Sequence, residues 1–235
     1  MTERRRPKFS ILHPTIRLAN EGWRSAWECW ADTCDQAEAV EYILAIDDWG
    51  NRPFYFPWWT STRHRSITSV IVLNNGRCCY VDAQNTAAKA ARGDFLITAA
   101  DDWFPCLHWD SMLNALVPDP LHTEAVIKVR TQHHPDLAIY PILTRAYYER
   151  PGRGGCPAGE LFYPEYLSMG SDDDLTEYAR RDGVLLEAPE MKFEHRHHSL
   201  GLAQEDEAYR YVASEEAWAV KERVIARRRR ENYSR

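Results

Sequence analysis

Residues 93–105 read Gly-Asp-Phe-Leu-Ile-Thr-Ala-Ala-Asp-Asp-Trp-Phe-Pro, an apolar run of strand length that ends in two adjacent carboxylates. In an open α/β sheet, ligands bind in the crevice beyond the carboxyl ends of the strands. Hard cations such as Mg²⁺ and Mn²⁺ take oxygen ligands and bridge to substrate phosphates. We therefore expect a metal–phosphate site at Asp101 and Asp102. The alternative is that one of these residues only caps the next helix.

The segments before this stretch alternate between strand and helix. Apolar runs predict strands at 8–13, 41–48 and 68–73. Helical spacing of apolar residues predicts helices at 20–34 and 81–91, the second ended by Gly93 in the left-handed conformation. This order is typical of a nucleotide-binding α/β domain. Because the chain has neither a GxGxxG fingerprint nor a P-loop, we expect a metal held by carboxylates to neutralise the phosphates.

The second half of the chain is less regular. Four glycines and two prolines in 149–159 indicate a loop or mobile flap, and strands are predicted at 184–188 and 191–193. The last 30 or so residues have a helical pattern and carry a run of arginines. We expect one domain over residues 1–200 and a basic helical extension over 201–235 that packs on it.

Composition limits the function classes. The chain has 235 residues, 44% of them hydrophobic, and no apolar run approaches the length of a membrane span, so we expect a cytoplasmic protein. The six cysteines show no zinc-ligand spacing. A net charge of −6 disfavours a protein that simply coats nucleic acid. The arginines at 4–6 and 223–230 are either solvated tails or a means of steering a polyanion.

Three clusters of acid or imidazole groups occur at positions that a sheet would bring together: Asp101 and Asp102, then 172–174, then the histidines at 195, 197 and 198. Crowding three aspartates predicts that the pKa of at least one is raised, which favours a general base near neutral pH. The alternative for this second cluster is that one aspartate caps the following helix, predicted at 176–181.

In their order along residues 8–198, these clusters resemble the family-2-like glycosyltransferases of GT-A fold. The resemblance rests on Gly76, Asn85, Asp101-Asp102, the Gly-Ser-Asp-Asp-Asp-Leu at 170–175 and the Phe-Glu-His at 193–195. More specifically, the chain looks like small single-domain members from bacteriophages, some of which are linked to DNA base hypermodification. The resemblance implies an α/β fold with a central, mostly parallel mixed sheet flanked by helices, plus a C-terminal helix.

The chain departs from this family at three positions. Ala99 stands where the first acid of the Asp-x-Asp motif is usual, Gln84 where an arginine often precedes the asparagine, and Ser171 where a glutamate often precedes the base. Since the first acid often touches the nucleotide ribose, its replacement by alanine puts ribose recognition in question.

By this resemblance, the metal is Mn²⁺ or Mg²⁺, and Asp101 is its first ligand with Asp102 as the alternative. His195 would complete the coordination, with His197 as the alternative, because imidazole suits Mn²⁺ better than Mg²⁺. Asp172 or Asp173 would be the general base. Direct attack opposite the leaving diphosphate would invert the anomeric centre.

The resemblance also implies two sets of binding residues, one for the nucleotide sugar and one for the acceptor. The residues expected to hold the nucleotide sugar, of which Asp47 would accept from a ring N–H such as that of uracil, are Pro14, Thr15, Arg17, Asp47, Asn75, Gly76, Arg77, Asn85 and Asp101. The residues expected at the acceptor rim, besides the flap, are Trp58, Trp59, Trp103, Tyr163 and Tyr166.

The resulting hypothesis is a metal-dependent, inverting, hexosyltransferase-like enzyme that moves a sugar from a nucleoside diphosphate sugar, with UDP favoured, to an acceptor hydroxyl. The acceptor considered is 5-hydroxymethylcytosine in phage DNA, because aromatic side chains and distal arginines suit a flipped base. A nucleotidyltransferase and a catalytically decayed binding module are the alternatives.

Overall fold

The computed structural model of the protein describes residues 6–16, 22–47, 66–74, 76–132 and 134–232. Within these ranges, strands and helices follow one another along the first half of the chain. The strands are β1 Phe9–Thr15, β2 Val40–Asp47, β3 Thr68–Asn74, β4 Phe95–Thr98, β5 Trp103–Phe104, β6 Val126–Arg130, β7 Ile142–Thr144, β8 Leu185–Lys192 and β9 Glu194–His195. The helices are α1 Gly22–Thr33, α2 Tyr80–Ala90, α3 Trp109–Leu116, α4 Arg145–Glu149, α5 Ser171–Arg181, α6 Glu207–Val212 and α7 Glu215–Asn232.

Seven strands form one mixed sheet in the order β3-β2-β1-β4-β7-β6-β8. The first four run parallel to one another, β7 is antiparallel to both of its neighbours, and β8 is parallel to β6. The carboxyl ends of β1 and β4 therefore meet at one edge, where Leu12 lies beside Thr98. The predicted mostly parallel sheet flanked by helices is confirmed.

Each face of the sheet carries its own hydrophobic core. On one face lie α1 and α3, and Trp27 and Trp30 of α1 are fully buried there. On the other lie α2, α4, α5 and α7, with Val224 of α7 also fully buried. The tryptophan stripe of α1 thus packs the core, as its helical spacing indicates.

The predicted role of Gly93 as a left-handed cap is wrong. Gly93 is not among the residues with positive φ, and the helix is capped by Ala91 in an extended conformation. A Cβ at Gly93 would lie 2.5 Å from the Ser10 side-chain oxygen and 2.6 Å from the Ser10 nitrogen. Glycine is needed here because the chain entering β4 passes directly against β1.

Two other predicted boundaries are wrong. The strands expected at 184–188 and 191–193 form one strand, β8, whose pairing with β6 shifts register after Val129. Pro189 is tolerated within it because β8 is an edge strand, where a missing N–H is harmless. The helix predicted at 176–181 begins at Ser171, so the three aspartates lie in its first turn.

The chain ends in two helices rich in charge, α6 and the 18-residue α7. Within the described ranges, the structure contains no helix with both the length and the apolar composition of a membrane span.

Candidate active site

A cleft of ≈ 500 Å³ opens beyond the carboxyl ends of β1 and β4. Its opposite wall comes from the start of α5, the segment after β9, and the C-terminal helices. The predicted site residues that line it are Pro14, Thr15, Asp101, Asp102, Asp172, His195 and His197. Tertiary structure thus brings together members of all three clusters.

Asp101 is held at the cleft by both of its carboxylate oxygens. His13 Nε2 lies 2.9 Å from Oδ1, and Thr15 Oγ1 donates to Oδ2 at 3.0 Å. The other ring nitrogen of His13 is hydrogen-bonded to the Tyr42 hydroxyl. Burial, followed by the charge of Asp101, raises the pKa of Tyr42 well above its usual value, so the Tyr42 hydroxyl keeps its proton. When that hydroxyl donates to Nδ1, the His13 ring has a proton on Nε2, which donates to Asp101.

Asp102 faces an imidazole across the floor of the cleft. Its Oδ2 lies 3.4 Å from His195 Nε2, and both residues are buried. The short ladder of β5 with β9 produces this approach, because it pairs Trp103 with His195 directly after Asp102. The Arg196 N–H also donates to the Asp102 carbonyl at 2.8 Å.

The carboxylate of Asp102 and the imidazole of His195 fit a divalent cation that takes its remaining ligands from a diphosphate and water. Adjacent ligands of an octahedral ion lie about 3 Å apart, close to the separation of Asp102 and His195, and such ions take their remaining ligands from water and phosphate. No group of three candidate ligands occurs among the residues that the structure describes. Asp102 and His195 are thus two side chains that could hold a divalent cation at this point of the cleft.

The three neighbouring aspartates of α5 have separate environments. Asp173 pairs with Lys221 at 3.0 Å, and Asp174 pairs with buried Arg228. Asp172 lines the cleft, and its pKa is raised to about 6, first by burial and then by the negative charge of Asp173. Of the three, Asp172 is thus the one placed to exchange a proton with a ligand.

The prediction that one of these aspartates caps α5 is wrong. The N-cap is Gly170, which has a φ of 88° and makes no side-chain capping bond. The acidic side chains instead lie in the first turn, where negative charge is favourable toward the helix dipole.

Ala99, Gln84 and Ser171, the three positions that depart from the family pattern, contribute to packing and to hydrogen bonds with the backbone. Ala99 is fully buried, and Gln84 Nε2 donates to the Leu12 and Ala99 carbonyls, which joins α2 to the ends of β1 and β4. Ser171 Oγ donates to the Ser168 carbonyl at 2.7 Å. These three positions contribute packing and backbone hydrogen bonds.

Two residues predicted to bind the nucleotide, Arg77 and Asn85, form hydrogen bonds with the loop at 161–166. Arg77 pairs with Asp82 at 2.6 Å and also donates to the Tyr166 carbonyl. Asn85 is buried and exchanges three hydrogen bonds with the backbone of 161–162. Gly76 lies beside Asp82, and neither Gly76, Arg77 nor Asn85 lines the cleft.

The described residues predicted for the acceptor rim also lie away from the cleft lining. Trp103 and Tyr166 are fully buried, and the Tyr163 ring lies beneath the Arg228 guanidinium at 3.7 Å. The 149–159 segment packs toward α7, because Arg228 donates to the Gly154 carbonyl at 2.6 Å. Asp173, predicted as an alternative base, is ion-paired as described above. The predicted residues Arg17, Trp58, Trp59, Asn75 and the side chain of Asp47 lie outside the described residues.

Sequence reasoning missed His13 and Tyr209. His13 stands at the end of a predicted strand, next to Pro14, and this position was its available signal. Tyr209 gives no sequence signal, because it reaches Asp102 from 107 positions further along the chain.

Comparisons with known proteins identify the fold. No protein-family model matches the sequence, and no curated protein matches it. S. aureus TarS 1–349 in complex with UDP-GlcNAc superimposes with a TM-score of 0.60 at 14% identity, over 94% of this chain and 66% of that one. S. aureus TarS matches at a TM-score of 0.58 and 12% identity, over 80% of this chain and 36% of that one.

A third structure is the mannosyltransferase PcManGT from Pyrobaculum calidifontis, in complex with GDP-Man and Mn²⁺. It matches at a TM-score of 0.55 and 15% identity, over 81% of this chain and 57% of that one. The chain therefore spans between about a third and two thirds of the length of these structures. The likeness shows that the chain has the GT-A glycosyltransferase fold.

Proposed function

We propose that this protein is a metal-dependent glycosyltransferase that uses a nucleoside diphosphate sugar. The observation that carries the proposal is that Asp102, His195 and Asp172 line one cleft at the carboxyl ends of β1 and β4. We assign Asp102 and His195 to metal binding and Asp172, on the facing wall, to the general base. Among the neighbours, one TarS structure holds UDP-GlcNAc and PcManGT holds GDP-Man with Mn²⁺.

Asp102 and His195 are the proposed metal-binding residues. We place Asp102 ahead of Asp101 because Asp102 Oδ2 lies 3.4 Å from Nε2 of His195, the second proposed metal-binding residue. When bound, the cation supplies Lewis-acid stabilisation of the charge that develops on the leaving diphosphate. We favour UDP as the nucleotide, with Asp47 as its proposed uracil partner.

Asp172 is the proposed general base. Its carboxylate takes the proton of the acceptor hydroxyl while that oxygen forms a bond to the anomeric carbon, and the bond from this carbon to the diphosphate oxygen breaks. The diphosphate leaves with the electron pair. Attack from the face opposite the leaving group inverts the anomeric centre. A pKa of about 6 keeps Asp172 ionised, yet sufficiently basic, at neutral pH.

The C-terminal arginines bear on the class of acceptor, because the hypothesis of 5-hydroxymethylcytosine in phage DNA depends partly on them. Three of them form ion pairs within the chain, Arg227 with Glu165, Arg228 with Asp174 and Arg229 with Glu177. We therefore propose only that the acceptor provides a hydroxyl group. Binding of the full chain to DNA with and without 5-hydroxymethylcytosine tests the DNA hypothesis.

The test is release of free nucleoside diphosphate from a panel of UDP- and GDP-sugars in the presence of Mn²⁺. We expect turnover with one nucleotide, at least a hundredfold loss with Asp102→Asn or Asp172→Asn, and full activity with Asp119→Asn. Asp119 is a matched control, since its side chain is exposed and pairs only with nearby His122 among the ion pairs described.

The alternatives give different products. Release of pyrophosphate from a nucleoside triphosphate would identify a nucleotidyltransferase. Binding of a nucleoside diphosphate sugar without any product would identify a binding module. Absence of both binding and product across the panel would overturn the proposal.

A further inference from the structure

A tyrosine from the C-terminal helices contacts the candidate metal-binding carboxylate. Tyr209 lies on α6 and is 8% exposed. Its hydroxyl donates to Asp102 Oδ2 at 2.8 Å, and this is the same oxygen that lies 3.4 Å from His195 Nε2. The second oxygen of Asp102 lies 3.4 Å from the Tyr140 hydroxyl. Asp102 is therefore oriented from the C-terminal side of the chain.

The ring of Tyr209 also packs against the histidine segment. Its centroid lies 4.9 Å from that of His197 and 4.6 Å from that of His198. His197 in turn lies 5.0 Å from His195. Tyr209 thus contacts the proposed metal-binding carboxylate through its hydroxyl and, through its ring, the histidines that follow the proposed ligand His195.

The main chain around Tyr209 is fixed by several contacts. Asp206 caps α6 by accepting from the Tyr209 N–H at 3.1 Å. Ser168 donates to the Val212 carbonyl, and the Tyr211 hydroxyl donates to the Cys78 carbonyl. Because contacts at both ends of α6 hold it, the position of the Tyr209 hydroxyl is set before any ligand binds.

The hydrogen bond from Tyr209 is compatible with a metal on the same carboxylate. An ionised carboxylate offers about four lone-pair positions, and a hydroxyl donor occupies one of them. Carboxylates that bind metals are commonly hydrogen-bonded by neighbouring residues, and loss of such a partner typically costs 10- to 100-fold in metal affinity.

We propose that Tyr209 is a positioning residue for the metal site, which makes the C-terminal helices an integral part of the donor-binding machinery. This inference rests on the proposed function, because it requires that Asp102 and His195 bind the cation. It goes beyond the proposed function because it assigns a role in metal affinity to Tyr209 of α6, which belongs to none of the three clusters found in the sequence.

The experiment measures Mn²⁺ affinity, by the loss of the free Mn²⁺ electron paramagnetic resonance signal, with saturating UDP and, separately, GDP. We expect Tyr209→Phe to weaken Mn²⁺ binding about 10-fold or more. Asp102→Asn should abolish it. Tyr148→Phe is the matched control, since this buried tyrosine also donates one hydrogen bond, to the Gly159 carbonyl at 2.8 Å, away from the cleft.

A second readout separates positioning from general destabilisation. Excess Mn²⁺ should restore nucleotide-sugar turnover by Tyr209→Phe toward the wild-type kcat, whereas a merely unstable variant would not recover. Unchanged Mn²⁺ affinity in Tyr209→Phe, with loss in Asp102→Asn, would overturn this inference and leave the proposed function standing. If wild-type protein binds no Mn²⁺ with either nucleotide, or Asp102→Asn binds it normally, the proposed metal site fails, and this inference with it.

Discussion

Tyr42, His13 and Asp101 form a chain of hydrogen bonds that runs from the hydrophobic core to the cleft. Each member orients the next, since the Tyr42 hydroxyl contacts one ring nitrogen of His13 and the other ring nitrogen contacts the Asp101 carboxylate. Tyr42 and His13 are buried at 1% and 0% exposure, so water cannot replace a lost partner.

We expect Tyr42→Phe to destabilise the protein by about 1–3 kcal/mol, because it leaves Nδ1 of buried His13 without its hydrogen-bond partner. Urea unfolding measures the change. Tyr211→Phe is the control: its side chain is 44% exposed, so water can solvate the freed Cys78 carbonyl and the change should stay within about 0.5 kcal/mol. Equal stability of Tyr42→Phe and wild type would contradict the hydrogen-bond chain.

Asp172 should make turnover depend on pH. Since burial and Asp173 raise the pKa of Asp172 to about 6, the base is protonated below this value, and kcat should rise with pH through about 6. Lys221, which lowers this pKa, and Asp173 are the charged groups beside it. A profile that is flat between pH 5 and 7 would exclude Asp172 as the base.

The same raised pKa predicts an effect on stability. The ordinary value is 3.8, so ionisation costs more in the folded than in the unfolded protein, and stability is lost as the pH rises from about 4 through 6. Asp172→Asn removes this loss. We expect it to be more stable than wild type at pH 8, by on the order of 2 kcal/mol, with a smaller gain at pH 4, as measured by urea unfolding at both values.

At the scale of elements, α5 and α7 are joined by charge. Arg228 is 4% exposed and donates to both oxygens of Asp174, and Arg229 pairs with Glu177 one turn further along α5. Lys221 pairs with Asp173 at the end of α5 nearest the cleft. These contacts direct the side chains of α7 toward the protein body and hold the C-terminal helices against the cleft wall.

We expect Arg228→Ala to cost about 3–5 kcal/mol of stability, because it leaves the buried Asp174 carboxylate without its partner. Arg229→Ala breaks a more exposed pair and should cost less than about 1 kcal/mol. Thermal or urea unfolding of the two variants checks the contrast. Similar costs for both would show that the Arg228 pair is not the main tie between the helices.

At the scale of the whole molecule, the net charge of −6 and the paired arginines of α7 leave little basis for binding a polyanion. Proteins that bind DNA nonspecifically do so mainly by neutralising phosphates. The GT-A fold accounts for the cleft but does not select the acceptor.

We therefore expect the full chain to bind duplex DNA containing 5-hydroxymethylcytosine more weakly than about 10⁻⁴ M at physiological salt, below the usual nonspecific range. Fluorescence anisotropy with and without the modified base, across a salt series, measures this. Micromolar binding with a steep salt dependence would restore the DNA acceptor hypothesis.

Residue patterns predicted the α/β class and the three clusters whose members line the cleft, while the mostly parallel sheet was implied by the resemblance to GT-A glycosyltransferases. The patterns did so because strand periodicity and polar strand ends are local properties, and parallel strands carry their ends to one edge. Sequence alone does not distinguish the ligand-binding roles expected for Arg77, Asn85 and Trp103 from the contacts they make in the structure. Arginine, asparagine and tryptophan occur alike in ligand sites, in hydrogen bonds that hold loops and in packed cores.

Only the tertiary structure decided which aspartate of α5 faces the cleft and which carboxylate oxygens form hydrogen bonds with His13 and Tyr209. It also decided which residues the arginines of α7 pair with. These features depend on contacts between segments far apart in the chain, such as Tyr209 with Asp102 and Arg228 with Asp174. No local pattern encodes them, since each is fixed by how the helices pack around the sheet.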